Sequence, residues 1–166
     1  MTTTVDNLAT AFAGESQANR KYLAFAQKAE KEGFPSIGRL FRAAAEAETI
    51  HALAHFHNMG GVGATVDNLK AAVAGETYEY TTMYPPMLEQ AIAEGHKAKI
   101  MFGFALKAEE VHARLYSAAL KAIESGKDLD GAEIYLCPVC GDIEIGKPTE
   151  KCPLCGAPAE KFRRIN

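Results

Sequence analysis

The sequence predicts a mainly α-helical protein, a four-helix bundle followed by a small metal-binding domain. Residues 1–126 are rich in Ala, Leu, Glu and Lys, and their apolar residues keep helical spacing nearly throughout. This part also contains an internal repeat, because Glu15 and Glu48 recur as Glu76 and Glu109, each 61 positions later. All four cysteines lie between residues 137 and 155. The repeat indicates two helical hairpins, and the clustered cysteines indicate a metal site after them.

Composition excludes several classes of protein. The chain has 166 residues, of which 48% are apolar and 23% charged, and its formal net charge is −3. The apolar fraction excludes a disordered chain, and no apolar run approaches the ~20 residues that span a bilayer. The N-terminal residues lack the pattern of a signal peptide, and the mild acidity argues against a nucleic-acid groove. We therefore expect a cytoplasmic protein without a membrane or nucleic-acid partner.

Turn and capping residues divide the helical part into four segments. Asp6 and Ser36 are candidate N-caps, and glycines or prolines follow the expected helix ends. The expected limits are Asp6 to Gly33, Ser36 to Gly60, Asp67 onward with a kink or break at residues 83–86, and about Gly95 to Gly126. Four helices of this length suit a bundle, which we place at residues 1–128.

The C-terminal part has a different composition. Residues 133–166 contain four of the seven prolines and short β-favouring runs such as Ile134-Tyr135-Leu136. A domain of roughly 34 residues buries too little surface to fold without additional stabilisation, such as a bound metal ion. We therefore predict a second domain at residues 133–166 that is held together by its cysteines.

The repeat carries a chemical pattern. Each half offers one Glu from its first helix and a Glu-x-x-His from its second, namely Glu48 with His51 and Glu109 with His112. Helical spacing places these four side chains on apolar stripes that should face the bundle core. Burying unpaired carboxylates there would be prohibitively costly, whereas two iron or manganese cations would compensate their charge. The pattern is that of a di-metal carboxylate bundle.

The two halves differ at one position close to this pattern. Glu79 lies one helical turn after Glu76, whereas its counterpart in the first half is Ala18. The i, i+3 spacing puts Glu76 and Glu79 on the same face. Glu79 is therefore either a seventh metal ligand or a solvated surface residue.

The cysteines form two knuckles. Cys137-Pro-Val-Cys140-Gly and Cys152-Pro-Leu-Cys155-Gly each place two sulfurs and a glycine in one tight turn. Two such turns supply a tetrahedral site of four thiolates. The spacing is compatible with a structural zinc ribbon and equally with a redox-active iron.

Taken together, these motifs resemble the rubrerythrin family. The resemblance rests on Ala-Phe-Ala-Gly-Glu-Ser-Gln-Ala at 11–18, on the segment from Gly75 to Pro85, on both Glu-x-x-His motifs and on the two terminal knuckles. It covers essentially the whole chain. It implies a ferritin-like di-iron four-helix bundle followed by a rubredoxin-like domain with one iron on four cysteines, so that the chain would hold two irons in one site and one iron in the other.

The resemblance also implies functional residues. It places Tyr22 and Tyr84 beside the di-iron site. It also implies that one iron lies near His51 when reduced and moves to the side of Glu79 when oxidised. The implied di-iron ligands are Glu15, Glu48, His51, Glu76, Glu79, Glu109 and His112. The implied ligands of the single iron are Cys137, Cys140, Cys152 and Cys155.

The activity that the resemblance implies is reduction of hydrogen peroxide to water in oxidative-stress defence. Electrons would come from rubredoxin or an NAD(P)H-dependent reductase and would enter through the four-cysteine iron. The rival enzyme is a ferroxidase of the ferritin type, which would not need the appended redox domain. A non-enzymatic docking protein with a zinc ribbon would leave the acidic cluster unexplained.

The segment between the two hairpins is short. About nine residues, Asn58 to Val66, are left after both helices are completed, and they span at most ~30 Å. An unswapped bundle needs a crossing of ~30 Å or more plus a lateral step. We therefore predict a helix-swapped homodimer in which the helices of one chain complete the site of the other. The alternative is an intrachain bundle with frayed helix ends.

Overall fold

The computed structural model describes residues 2–129 and 131–166. Its chain divides into two compact units, of which the first ends at Gly63 and the second begins at Ala64. The first unit is a helical hairpin. The second contains a further helical hairpin and the cysteine-containing domain. Within the described residues, no helix is both long and apolar enough to cross a bilayer.

The first unit consists of α1 (Thr4–Lys31) and α2 (Pro35–Asn58). Thr3 is the N-cap of α1 and forms a capping box with Asp6, whose carboxylate accepts the Thr3 amide at 2.8 Å. Asp6 is thus the third helical residue rather than the expected N-cap. Helix α2 begins at Pro35, one residue before the expected cap Ser36, because proline is well suited to the first helical position.

Small residues line the contact between α1 and α2. The buried residues of the two helices are Ala26, Ala29, Gly38, Ala45 and Ala52. A Cβ atom at Gly38 would lie 3.3 Å from the carbonyl oxygen of Ala26 and 2.8 Å from Cγ of Glu30. Beside this crossing, Arg42 forms two hydrogen bonds to Glu30, at 2.9 and 2.8 Å. The side chains that face each other here are therefore small, and the backbones approach closely.

The second unit begins with α3 (Thr65–Tyr78), a π-helical segment (Glu79–Met83) and α4 (Tyr84–Ala93), followed by α5 (Ala98–Glu124). The amide of Tyr84 donates to the carbonyl of Glu79, which is the i, i+5 pattern of a π turn. The expected break at residues 83–86 is therefore a wider turn within a continuous helical path. Pro85 and Pro86 fit there because the first turn of α4 needs no intrahelical amide donor from them.

The cysteine-containing domain has a three-stranded antiparallel sheet. Its strands are β1 (Ile134–Leu136), β2 (Ile143–Ile145) and β3 (Arg163–Ile165), in the order β2-β1-β3. A 3-10 turn, Ala159–Lys161, precedes β3. The buried core consists of three of the cysteines and Phe162, and Phe104 of α5 packs against it. With so few apolar side chains, the domain depends on the cysteine cluster for its stability.

The fold class predicted from the sequence is confirmed. The chain is mainly helical and ends in a small antiparallel sheet with two cysteine knuckles, as expected for a ferritin-like helical part followed by a rubredoxin-like domain. The domain limits at residues 128 and 133 remain predictions.

Candidate metal centres

The first unit gathers one candidate metal triad. Glu15 lies on α1, while Glu48 and His51 lie one turn apart on α2. The Nδ1 atom of His51 is 3.7 Å from a carboxylate oxygen of Glu15 and 3.7 Å from one of Glu48. The side chain of His51 is 56% exposed, whereas Glu15 and Glu48 are half-buried. The two helices of the hairpin thus bring together both carboxylates and the imidazole that the repeat predicted.

A hydrogen-bonded bridge ties the two helices together beside this triad. The side-chain amide of Asn19 donates to the carbonyl of Ala45 at 2.7 Å and to the Thr49 hydroxyl at 2.8 Å. Asn19 lies one turn after Glu15, and Thr49 follows Glu48 directly. The bridge fixes how α1 and α2 are aligned at the level of the carboxylates. Its sequence signal, which the repeat does not show, is the spacing of Asn19, four residues after Glu15 and three before Tyr22, which places it on the same face of α1.

The second unit gathers the matching triad. Glu76 lies on α3, while Glu109 and His112 lie one turn apart on α5. The Nδ1 atom of His112 is 2.7 Å from a carboxylate oxygen of Glu109 and 3.6 Å from one of Glu76. All three side chains are well covered, and His112 is only 15% exposed. Metal bonds of about 2.0–2.2 Å place the ligands of one ion about 3–3.5 Å apart, so both triads suit a cation.

The other ring nitrogen of His112 has a fixed partner. Its Nε2 atom lies 2.9 Å from the carbonyl oxygen of Gly141, in the first cysteine knuckle. A carbonyl accepts only, so Nε2 carries the proton, and Nδ1, which faces the carboxylates of Glu109 and Glu76, is the nitrogen that can bind a metal. Second contacts of this kind orient metal-binding histidines and raise their basicity. The sequence carries no signal for this contact, because it joins residues 29 positions apart across two domains.

Glu79 lies close to the second triad. It is the first residue of the π-helical segment. Burial and the charge of Glu76 raise the pKa of Glu79, and His112 partly offsets this. Burial and the neighbouring Glu109 likewise raise the pKa of Glu76. A bound cation would stabilise the ionised forms of these crowded carboxylates.

The two tyrosines have different surroundings. Burial, and then the charges of Glu109, Glu79 and Glu76, raise the pKa of Tyr84, so its hydroxyl keeps its proton. Its ring packs against Phe102 with a centroid distance of 6.1 Å. Tyr22 packs against Phe25 and Phe41 in the first unit. Tyr84 therefore lies among the carboxylates of the second triad, and Tyr22 lies in an aromatic cluster two turns along α1 from Glu15.

The four cysteines form a compact cluster. Sγ of Cys137 lies 3.6 Å from Sγ of Cys155, and Sγ of Cys140 lies 3.5 Å from Sγ of Cys152. Metal–sulfur bonds of about 2.3 Å in a tetrahedron put sulfurs about 3.8 Å apart, so the cluster fits one ion. Gly141 and Gly156, both with positive φ, close the two knuckles by donating to the carbonyls of Cys137 and Cys152.

The thiol pKa values show how the knuckles treat their sulfurs. Burial raises the pKa of Cys152 to about 11 and raises that of Cys140 further. At Cys137 burial acts in the same direction, but amide donors from Cys140 and Val139 outweigh it and lower the pKa. A bound cation would make the thiols of Cys140 and Cys152 thiolates near neutral pH. The cluster is thus a metal site rather than a set of free thiols.

Comparisons with known families agree with this geometry. Residues 6–120 match the family model described as Rubrerythrin, and residues 135–163 match the one described as Rubrerythrin, rubredoxin-like domain. Rubrerythrin-2 of Clostridium acetobutylicum is 39% identical, over 96% of this chain and 95% of that protein. Nigerythrin of Nitratidesulfovibrio vulgaris is 40% identical, over 96% of this chain and 85% of that protein.

Solved structures agree as well. A structure titled as the partially reduced state of nigerythrin has a TM-score of 0.58 and 35% identity, covering 99% of this chain and 88% of that one. The carboxylate–histidine triads and the four-cysteine cluster, together with these relatives, establish two irons in a carboxylate site and one iron in the cysteine site. The chain belongs to the rubrerythrin family.

Proposed function

We propose that this protein is a peroxidase that reduces hydrogen peroxide to water with electrons delivered through its four-cysteine iron. Its family is one of di-iron proteins of oxidative-stress defence, and it is an oxidoreductase of this kind. The observation that carries the proposal is the contact between His112 and Gly141, because it joins the second carboxylate triad to the cysteine knuckle. An iron-storage protein has no use for such a connection.

We assign the ligand roles from the two triads, the adjacent Glu79 and the knuckles. The di-iron ligands are Glu15, Glu48, His51, Glu76, Glu79, Glu109 and His112, and the single-iron ligands are Cys137, Cys140, Cys152 and Cys155. Two irons held by these carboxylates and imidazoles would supply the two electrons for cleavage of the O–O bond. The overall change is H2O2 plus two electrons and two protons to two waters, so the protein must also provide protons.

Side chains around the triads serve the proton transfers. The Tyr84 hydroxyl keeps its proton among three carboxylates and can donate a hydrogen bond to an oxygen atom held there. We assign Tyr22 the same role on the side of the first triad. Glu79 provides a further carboxylate on the side of Glu76, where it can stabilise additional positive charge.

Electrons would reach the second triad through the first knuckle. Cys140 is covalently joined to Gly141, whose carbonyl accepts the Nε2 proton of His112. This route consists of covalent bonds and one hydrogen bond, and it carries one electron at a time. The donor to the four-cysteine iron would be rubredoxin or an NAD(P)H-dependent reductase. A reducing cytoplasm, which keeps unbound thiols reduced, suits such a site.

We further propose that the protein is a helix-swapped homodimer. Between the end of α2 at Asn58 and the start of α3 at Thr65, the connection spans at most about 25 Å. Helix α2 alone is ~36 Å long, since it has 24 residues at ~1.5 Å each. A connection that must return along the whole of α2 within one chain is therefore too short. In the swapped dimer, the first triad of one chain completes a di-iron site with Glu79 and the second triad of the other.

Steady-state kinetics test the proposed activity. The iron-loaded protein is mixed with a rubredoxin, its NAD(P)H-dependent reductase and hydrogen peroxide, and NAD(P)H oxidation is followed. We expect one NAD(P)H to be consumed per peroxide, and no consumption when the protein is omitted. Oxidation of added ferrous iron with build-up of a ferric core, without peroxide-dependent turnover, would instead identify a ferroxidase.

Complementation tests the swapped dimer. Glu48→Ala chains and Glu109→Ala chains, each inactive alone, are unfolded together, refolded and separated from the parent dimers by different affinity tags. A swapped mixed dimer has one intact site, so we expect about half of the wild-type activity per dimer. Dimers refolded from two copies of the same variant are the control. Confirmed mixed dimers without activity would show that each site is built within one chain.

A further inference from the structure

The bridge between α1 and α2 beside the first triad is a closed ring of hydrogen bonds. The two amide hydrogens of Asn19 go to the carbonyl of Ala45, at 2.7 Å, and to the Thr49 hydroxyl, at 2.8 Å. The Thr49 hydroxyl in turn donates to the same Ala45 carbonyl at 3.1 Å. We call this set of three groups the Asn19 bridge.

The Asn19 bridge holds the turn of α2 that carries a carboxylate of the triad. Ala45 lies three residues before Glu48, and Thr49 lies one residue after it. On α1, Asn19 lies four residues after Glu15, on the same face of the helix. Ala45 is only 1% exposed, so water has little access to this contact. The bridge therefore fixes the separation between the two carboxylates.

The imidazole of the first triad has no comparable anchor. Within the described residues, the side chain of His51 contacts only the carboxylates of Glu15 and Glu48, each at 3.7 Å, and it is 56% exposed. Such an imidazole does not hold the two helices in place before a metal binds. The alignment of the ligands must therefore come from the bridge and from the packing of the hairpin.

The second triad is held by a different contact. At the offset of 61, the counterparts of the two bridging side chains are Tyr80 and Glu110, neither of which carries an amide. There the imidazole itself is anchored, because Nε2 of His112 donates to the carbonyl of Gly141 at 2.9 Å. Each half of the repeat thus has one hydrogen-bonded contact that supports its ligands, and the two contacts are built from unrelated groups.

We infer that Asn19 is a positioning residue for the first triad, and that its bridge sets how firmly the hairpin retains iron there. Loss of a contact that supports metal ligands typically weakens metal binding about 10- to 100-fold. The inference rests on the proposed ligands Glu15, Glu48 and His51. It does not depend on the peroxidase activity, because iron retention is measured without peroxide, so a failure of either can be recognised separately.

Iron release from Asn19→Leu tests the inference. The substitution keeps most of the side-chain volume and removes both amide donors. The intact, iron-loaded protein is reduced in the absence of oxygen and mixed with bipyridine, which forms a coloured complex with ferrous iron. We expect the first iron to leave about tenfold faster than from the wild type. The iron that stays in the cysteine site, measured by its ferric absorption after reoxidation, should be unchanged.

Two variants of Thr49 test the bridge from the other helix. Thr49→Val keeps the shape of the side chain but removes the hydroxyl, so release should be faster than in the wild type, though less so than in Asn19→Leu. Thr49→Ser keeps the hydroxyl and should release iron at the wild-type rate. If Asn19→Leu does not fold, as judged by circular dichroism, Thr49→Val decides. Faster release from it supports the inference, and an unchanged rate overturns it.

Gly38→Ala is the control for a general loosening of the hairpin. It crowds the crossing of α1 and α2 ten residues before Glu48, away from the bridge. We expect iron release at the wild-type rate. Equal acceleration by Gly38→Ala and Asn19→Leu would overturn the inference, because any disturbance of the two helices would then suffice. An unchanged rate in a folded Asn19→Leu would overturn it as well, since the bridge would then have no effect on the metal.

Discussion

At the scale of single residues, Glu79 is where the two halves of the repeat differ most in chemistry. Its counterpart at the same offset is Ala18, so the first half has no equivalent carboxylate. The additional carboxylate beside the second triad therefore has no equivalent beside the first triad. Burial and the charge of Glu76 raise the pKa of Glu79. A bound cation would stabilise the ionised form of this carboxylate.

Replacement of this carboxylate should affect turnover more than metal content. We expect Glu79→Ala to fold and to bind two irons in the carboxylate site, because both triads remain. Peroxidase turnover should fall at least tenfold, since the second triad loses its additional charged ligand. Iron analysis of the purified protein and steady-state peroxide consumption measure the two effects.

The matched control is Glu110→Ala, which removes an exposed carboxylate from the neighbouring position on α5. This variant should turn over at the wild-type rate. If Glu79→Ala also turned over at the wild-type rate, Glu79 would be a solvated helix residue and not a metal ligand.

Sequence reasoning located the triads but not the residues that support them. The triad residues could be predicted because two copies of one motif at one offset leave little room for chance. Asn19 and Gly141 make such supporting contacts, and their partners lie 26 to 30 and 29 positions away. Such contacts depend on how helices or knuckles pack together, which no local pattern encodes.

At the scale of elements, the repeat is visible in the helices themselves. Helices α1 and α3 begin at Thr4 and Thr65, which are 61 residues apart like the glutamates. The π-helical segment breaks this equivalence. The prolines that follow it predict a kink, because proline has no amide to donate. The sequence does not show that the helix widens into a π turn at this point instead. The expected N-caps Asp6 and Ser36 lie three and two positions after the observed N-caps, Thr3 and Phe34.

The close crossing of α1 and α2 at Gly38 should not tolerate a side chain. We expect Gly38→Ala to lower the free energy of unfolding by about 1 kcal/mol. The substitution gains about 1 kcal/mol of helix propensity but costs about 1–3 kcal/mol of overpacking against Glu30 and the Ala26 carbonyl. Chemical denaturation followed by circular dichroism measures the change.

Gly14→Ala is the matched control in the same hairpin. No atom lies within 4 Å of a Cβ at this position, so the propensity gain should stand alone and stabilise the protein by about 0.5–1 kcal/mol. Equal stabilisation by both substitutions would show that the crossing relaxes without cost.

At the scale of the whole molecule, the proposed function assigns separate roles to the cysteine domain and the helical part. We expect Cys137→Ala/Cys140→Ala to unfold only the small domain, whose stability is largely metal-binding free energy. The helices should persist, two irons should remain, and peroxide should still oxidise them in a single turnover. Donor-coupled steady-state turnover should disappear. Circular dichroism, iron analysis and stopped-flow absorption distinguish these effects.

Val139→Ala is the control, since it changes an exposed side chain between the same two cysteines. Normal cycling of the double variant with the donor system would mean that electrons enter elsewhere than through the four-cysteine iron.

The division into a helical part and a cysteine domain was predictable because composition and cysteine spacing are local signals. The contact that joins them was not. Gly141 and His112 meet only when the knuckle packs on α5, and nothing in either motif alone indicates that packing. The swapped assembly could be argued from the length of one connection, because reach is set by covalent geometry rather than by side-chain contacts.

The unequal surroundings of the two histidines have a consequence for metal exchange. His112 is held at both ring nitrogens and is 15% exposed, whereas His51 is 56% exposed and lies 3.7 Å from both of its carboxylates. In a single chain, before a partner covers the first triad, solvent and small chelators can therefore reach an ion beside His51 more easily than an ion beside His112. The residence times of the two irons should differ accordingly during assembly. The duplicated motif would then give one metal that is retained early, beside the proposed electron route, and one metal that is retained only once the dimer forms.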